Sequence, residues 1–343
     1  MTQAAGAVDA RPGGSTVLVL PLPTELPFTV AHLGDRLTEA QRRLTVPYAA
    51  VMGDAPTAAD NRPALPAAIG GDLGQGVAVE AEPPAGSCVH DRFFRVRRAR
   101  GDGAALLAAA LLVSDLLVLD DLARNGSTLD EDPDNLLLGA TAFLTGELPQ
   151  ALKDVRWAPA DQVSAAEERW LVGHQRFFVM LQLLIVALQE LGESAATPHE
   201  ETAVHTFGWI CRSTAASMRY AADFPPELYG GVRDTMTPPT VNAGFSGLQT
   251  RDHHALVNCM RQAGRDGVID RLNPVAATAV HAAVQHLYDA HVWVCARFGG
   301  TSEPSLLMAQ TDQATRKPPE SGVVAAARLA RQRLDYLTPA DPR

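Results

Sequence analysis

The sequence predicts an all-α fold: a helical body over residues 101–340, preceded by a flexible tail (1–15) and an irregular N-terminal extension (16–100). Two observations carry this. From Gly103 onward apolar residues recur at helical spacing in long segments and strand-like alternation is almost missing. Before that point prolines and glycines recur every few residues, which breaks regular structure. With 46% hydrophobic and 20% charged residues among 343, the chain can bury an ample core and does not have the composition of a disordered protein.

In order, the tail Met1 to Ser15 is rich in Ala, Gly and polar groups. The extension holds one β-like run, Thr16 to Leu20, and one helix, Val30 to Leu44. The body carries candidate helices at Gly103 to Ala123, Asn135 to Glu147, Ala165 to Leu191, Glu200 to Tyr220, His253 to Gln262, Pro274 to Phe298 and Val323 to Tyr336. A long Gly- and Pro-rich loop is expected from Asp223 to Arg251, of the kind that carries function inside a compact helical domain. No internal repeat is present.

Composition also narrows the partners. A net charge of −10 repels phosphate and speaks against nucleic acid. The cluster Arg92, Arg95, Arg97, Arg98, Arg100 reads as a solvated or subunit-contacting face. The apolar stretch Ala104 to Leu119 is interrupted by Ser114 and Asp115 and followed by Asp120 and Asp121, so it reads as a core helix and no membrane span is expected. Cys88, Cys211, Cys259 and Cys295 are scattered, and the N-terminus lacks a signal-peptide pattern, so the expected compartment is the reducing cytoplasm.

Chemistry concentrates on Pro274 to Phe298. Proline at a first-turn position and Gly299-Gly300 after Phe298 mark one helix, and inside it lies His291-x-x-x-Cys295. An i, i+4 pair stacks about 6 Å apart on one face, so the imidazole can ligate haem iron while the thiol reaches a vinyl group on the porphyrin rim. His281 and His286 lie five residues apart, a step that rotates about 140° around the axis, and they do not join the pair as a zinc cluster. The plainer reading makes Cys295 a small hydrophobe and His291 a hydrogen-bonded core residue.

Three stretches together resemble the tryptophan 2,3-dioxygenase superfamily of haem proteins. Glu168 to Leu181, with the pair His174-Gln175, is similar to that family's helix bearing a His-Gln pair on the distal side of the haem. Arg233 to Pro238, followed by Ala243 to Arg251, is similar to the arginine-led loop and the P-A-S-G-F-Q-S-x-Q-x-R segment, with an insertion and with Ser-Gly in place of Gln-Ser. From His291 to Leu306 an axial histidine is followed by a small-residue loop, where the family's G-T-G-G has become Gly299-Gly300-Thr301-Ser302. The likeness covers roughly His174 to Leu307 and leaves the first 150 residues unexplained. The short distance from His174 to His291 and the cysteine one turn after His291 resemble the haem-dependent tyrosine hydroxylase branch. Within it, they are most like the 3-methyl-L-tyrosine hydroxylases of saframycin-type tetrahydroisoquinoline antibiotic biosynthesis.

That resemblance implies a peroxygenase in which hydrogen peroxide adds a ring hydroxyl to 3-methyl-L-tyrosine, giving 3-hydroxy-5-methyl-L-tyrosine. It implies haem held by His291 as proximal ligand and covalently by a single thioether to Cys295. His174 would be the general acid–base, with a pKa near neutrality; its plainer role is an interior histidine bonded to a backbone carbonyl. Arg233 would clamp the substrate carboxylate bidentately, or else be a surface arginine. Thr301 and Ser302 would meet the substrate amino group or a haem propionate, or be ordinary turn residues. His253 or His254 would be a second, displaceable axial ligand, or the pair simply caps the turn at Thr250. An acidic chain with an Arg-rich segment can pair, and relatives assemble, so a homo-oligomer is expected. Two other functions fit the same residues: a haem oxygenase acting on a tryptophan-type indole, and a non-catalytic helical binding protein.

Overall fold

A computed structural model describes residues 17–26, 29–43, 78–79, 89–129, 139–145, 166–237, 241, 247–299 and 321–337. It is the all-α fold expected from the periodicity, with one small sheet. The elements are β1 (Leu18–Pro21), α1 (Val30–Arg43), β2 (Ala78–Val79), α2 (Val89–Phe93), β3 (Val96–Arg100), α3 (Gly103–Asn125), α4 (Gly139–Thr145) and α5 (Ala166–Ser194). They continue with α6 (Glu200–Ala221), α7 (Tyr229–Thr235), α8 (Arg251–Arg265), α9 (Val268–Arg271), α10 (Pro274–Gly299) and α11 (Gly322–Leu337).

The helix starts follow local chemistry. The Asp102 carboxylate accepts from the Ala105 amide at 3.1 Å and opens α3. Asn273 accepts from the amides of Val275 and Ala276 at 3.0 Å each, beside Pro274, and opens α10. The Thr250 hydroxyl accepts from the His253 amide and opens α8. At the centre runs α5, buried without interruption from Phe178 to Leu188. Alongside it lies α6, which packs on its other flank against α10, and α11 covers α10 and α8. The described parts of the N-terminal extension are woven into the same core: β1 pairs in parallel with β3, α1 packs on α3, and Leu18, Leu20, Leu33 and Leu37 are fully buried.

Buried ion pairs join α3 to α5. Arg169 contacts Asp121, and Arg176 contacts Asp115 at 2.7 Å, with all four side chains closed to solvent. Burial pushes the Asp115 carboxyl up to about 6, against the pull of Arg176 and of the Thr141 hydroxyl bonded to it. Asp115 and Asp121, two of the acidic interruptions read in the sequence, are therefore partners for basic residues of α5, while Asp120 pairs with Arg124 of α3 itself. Two segments, Gly103–Leu122 and Ala166–Ser194, are long and apolar enough to cross a bilayer, and both are mostly buried inside the fold, as core helices are.

Two expectations need correction. The arginine cluster is not uniformly a surface face: Arg92, Arg97 and Arg100 are exposed, but Arg98 points inward from β3. Its guanidinium grips Asp91 and Asp252 with two bonds each, between 2.7 and 3.0 Å. Burial disfavours that charge, and the two carboxylates more than offset it. Carboxylates from α2 and α8, not composition, decided its side. The second correction is the Asp223 to Arg251 stretch, which contains α7 and is not loop throughout.

Candidate functional site

The site forms where the start of α5 meets the end of α6. Gly173 allows it: a Cβ there would lie 2.4 Å from Ala221, so the two backbones touch at a point that any side chain would force apart. This crossing brings the corner after α6, Ala222 to Phe224, against Trp170 of α5.

A network centred on the fully buried Arg169, Asp121 and Asp223 fixes the corner. Arg169 donates to Asp121 at 2.8 Å, to the Asp223 carbonyl at 2.9 Å and to the Asp223 carboxylate at 3.0 Å. Ser127 and Thr128 also donate to the Asp223 carboxylate, and the Tyr220 hydroxyl donates to Asp121. Asn125 completes Asp121 from the other side at 2.8 Å. Every carboxylate oxygen in this network thus has a partner, which is what makes two buried acids tolerable.

On this footing sits an aromatic box. The His174 ring lies between Phe94, stacked at 4.4 Å, and Trp170 at 4.2 Å. Trp170 meets Phe224 and Phe298 edge-on and lies 5.9 Å from Tyr229. Phe298 stacks on Tyr229 at 4.1 Å and on Phe224 at 5.0 Å. Five segments of the chain therefore share one aromatic cluster. Arg233, half-buried, lies one turn beyond Tyr229 on the same side of α7.

His174 Nδ1 contacts the Trp170 carbonyl at 2.7 Å, which makes Nδ1 the donor and leaves Nε2 as the basic nitrogen. Burial between two rings lowers its pKa to about 4, and the bond to the carbonyl only partly opposes this. The near-neutral value expected from the sequence is corrected: His174 is a neutral imidazole at pH 7. Its neighbour Gln175 is a packing residue, buried and donating to the Phe94 carbonyl at 3.0 Å.

The end of α10 is different in kind. At 100° per residue, Ala276, Val280, Val284, Leu287 and Tyr288 define an inward stripe that His291, Cys295 and Phe298 continue. Burial stops at Ala290, and from His291 to Gly299 no residue is fully covered although most are apolar. Burial lowers the His291 pKa with no opposing contribution, and among the described residues its ring has no hydrogen-bond partner. The Cys295 thiol is pushed up to about 11 by burial and is free of any disulfide.

Of the residues singled out from the sequence, His174 stands in the box, Arg233 lies one turn from its Tyr229, and His291 and Cys295 share with Phe298 the helix that reaches it. His253 and His254 lie elsewhere, at the start of α8: His253 is buried and His254 exposed. Thr301 and Ser302 lie outside the described residues. Sequence reasoning missed Trp170, Phe224, Tyr229, Phe298 and the Arg169 network. A helical wheel would have flagged Trp170, at i−4 from His174, and Phe298, at i+7 from His291.

The model of the family described as SfmD 3-methyl-L-tyrosine peroxygenase matches residues 19–290. It stops one residue short of His291, so that residue and Cys295 rest on the geometry of α10. The 3-methyl-L-tyrosine peroxygenase of Streptomyces lavendulae is 30% identical over 236 residues, 64% of this chain, and the chain spans 64% of that relative's length. The crystal structure of reduced SfmD superposes with a TM-score of 0.57 at 28% identity, covering 83% of this chain and 99% of that one.

Proposed function

The chain belongs to the SfmD 3-methyl-L-tyrosine peroxygenase family, and from that membership we propose that it hydroxylates 3-methyl-L-tyrosine to 3-hydroxy-5-methyl-L-tyrosine with hydrogen peroxide. One peroxide oxygen replaces a ring hydrogen, and the other leaves as water. The observation that carries this reading is the convergence of a neutral imidazole, an aromatic box, an arginine and an open apolar helix end at one place.

The open end of α10 fits haem: an imidazole with no hydrogen-bond partner among the described residues, a thiol one turn on and an apolar stripe half-uncovered suit a large planar group. His291 would hold its iron, and Cys295 would tether it by a single thioether. Haem, when bound, supplies the oxidising centre that activates peroxide. Across the box, His174 takes the proton of the incoming peroxide on Nε2 and returns it to the departing oxygen; a neutral ring is the form able to begin that exchange. The walls of Trp170, Tyr229 and Phe298 match the face of a substituted phenol. Arg233, a turn from Tyr229, reaches the amino-acid carboxylate with its planar fork, and Thr301 and Ser302 meet its amino group or a propionate. His253 and His254, at the start of α8, are not among the residues drawn to the box, and neither is proposed as a second ligand. The wider kinship with the tryptophan 2,3-dioxygenase superfamily, the homo-oligomer and the cytoplasmic location rest on motifs and composition.

The test has two stages. Purified protein should show a Soret band whose pyridine haemochrome is displaced from the protohaem position, and Cys295→Ser should retain haem that acidic organic solvent extracts. Incubation with 3-methyl-L-tyrosine and peroxide should then yield a product heavier by one oxygen. A colourless protein, or ring cleavage of an indole in place of phenol hydroxylation, overturns the reading.

A further inference from the structure

Three successive carbonyls at the corner after α6 are all taken by arginines from other helices. Arg169 of α5 donates to the Asp223 carbonyl at 2.9 Å, while Arg297 of α10 donates from Nε to Ala222 at 3.0 Å and from Nη2 to Phe224 at 3.1 Å. A helix C-terminus leaves carbonyls without intrahelical partners and carries the negative pole of the dipole, so two guanidiniums there meet both needs. The guanidinium of Arg297 also lies over the Trp293 ring, 5.3 Å from its centroid, which restrains the side chain. The next residue, Phe298, stacks on Phe224 of the same corner. Arg297 stands two residues beyond Cys295 and six beyond His291.

We propose that Arg297 is a positioning residue: by gripping the corner that Arg169 anchors to α5, it sets the distance between the α10 face bearing His291 and Cys295 and the α5 face bearing Trp170 and His174. The planar guanidinium holds the two carbonyls in a fixed geometry from two nitrogens, whereas a lysine ammonium gathers its rotatable donors on one nitrogen and fixes them less firmly. The chemical consequence rests on the haem reading above, whereas the docking itself does not.

The test compares the full-length protein as purified with Arg297→Gln and Arg297→Lys by hydrogen exchange and intact mass. In Arg297→Gln, exchange across residues 291–299 should accelerate by roughly tenfold to a hundredfold, the consequence of losing bonds from a charged donor, with α5 unchanged. Arg297→Lys should recover only part of that protection. The fraction of protein carrying covalent haem should fall in the same order. Unchanged exchange over 291–299, or a uniform rise along the whole chain, overturns the proposal. If wild-type protein carries no haem, the cofactor reading fails and the exchange comparison alone decides the docking.

Discussion

His174 and His291 are carried by the two longest described helices, α5 with 29 residues and α10 with 26, and burial depresses the pKa of both. Their surroundings then diverge. His174 is held by a stacked and a tilted ring and by a backbone carbonyl, on a helix whose neighbouring arginine is locked by two buried acids. Among the described residues His291 has no such support, and the helix around it loses its cover within one turn of Ala290. A partly exposed imidazole with no protein partner is left free to take a ligand. One histidine is thus built into the fold, and the other is set aside by it.

Replacing each side of this contrast should give effects of different kinds. His291→Ala should abolish haem binding entirely while changing the stability of cofactor-free protein by less than about 1 kcal/mol, because it removes no hydrogen bond; a large loss in denaturant titration would make His291 a core residue. Arg169→Met strands Asp121 and Asp223 in the interior and should cost about 3–5 kcal/mol by the same titration. A loss below about 1 kcal/mol would show that the corner does not depend on the network. His174→Ala should keep the Soret band and lower hydroxylation by roughly 10²–10⁴, and loss of colour instead would place His174 on the cofactor's side of the contrast.

The smallest effect is a slope. With a folded pKa of about 4 against an ordinary 6.5, the unfolded chain takes up the His174 proton first as pH falls. The stability contributed by the neutral ring is complete above about 6.5 and lost progressively toward about 4. His174→Phe removes this titration, so its unfolding midpoint should depend less steeply on pH across that window. Coincident slopes would mean that the ring is not desolvated.

The long helices were legible because periodicity and the caps at Asp102, Asn273 and Thr250 are local signals. Arg98 was not, since its place inside the fold depends on Asp252, 154 residues away in the chain. Likewise α7 hides among glycines and prolines because packing of Tyr229 on Phe298, not propensity, holds it. In the site, His174, Arg233, His291 and Cys295 stand in short motifs that a sequence displays. The box around them draws single aromatic residues from five separate segments, a juxtaposition that only tertiary contact creates.

The meeting of Gly173 and Ala221 makes the width of the box a one-sided variable. The two backbones cannot come closer, so the enclosure can only be widened. A methyl group at position 173 would act as a shim between α5 and α6. Gly173→Ala should cost about 1–3 kcal/mol in strain and raise turnover of bulkier ring-substituted tyrosines relative to 3-methyl-L-tyrosine. That makes position 173 a lever on substrate size that never touches the substrate.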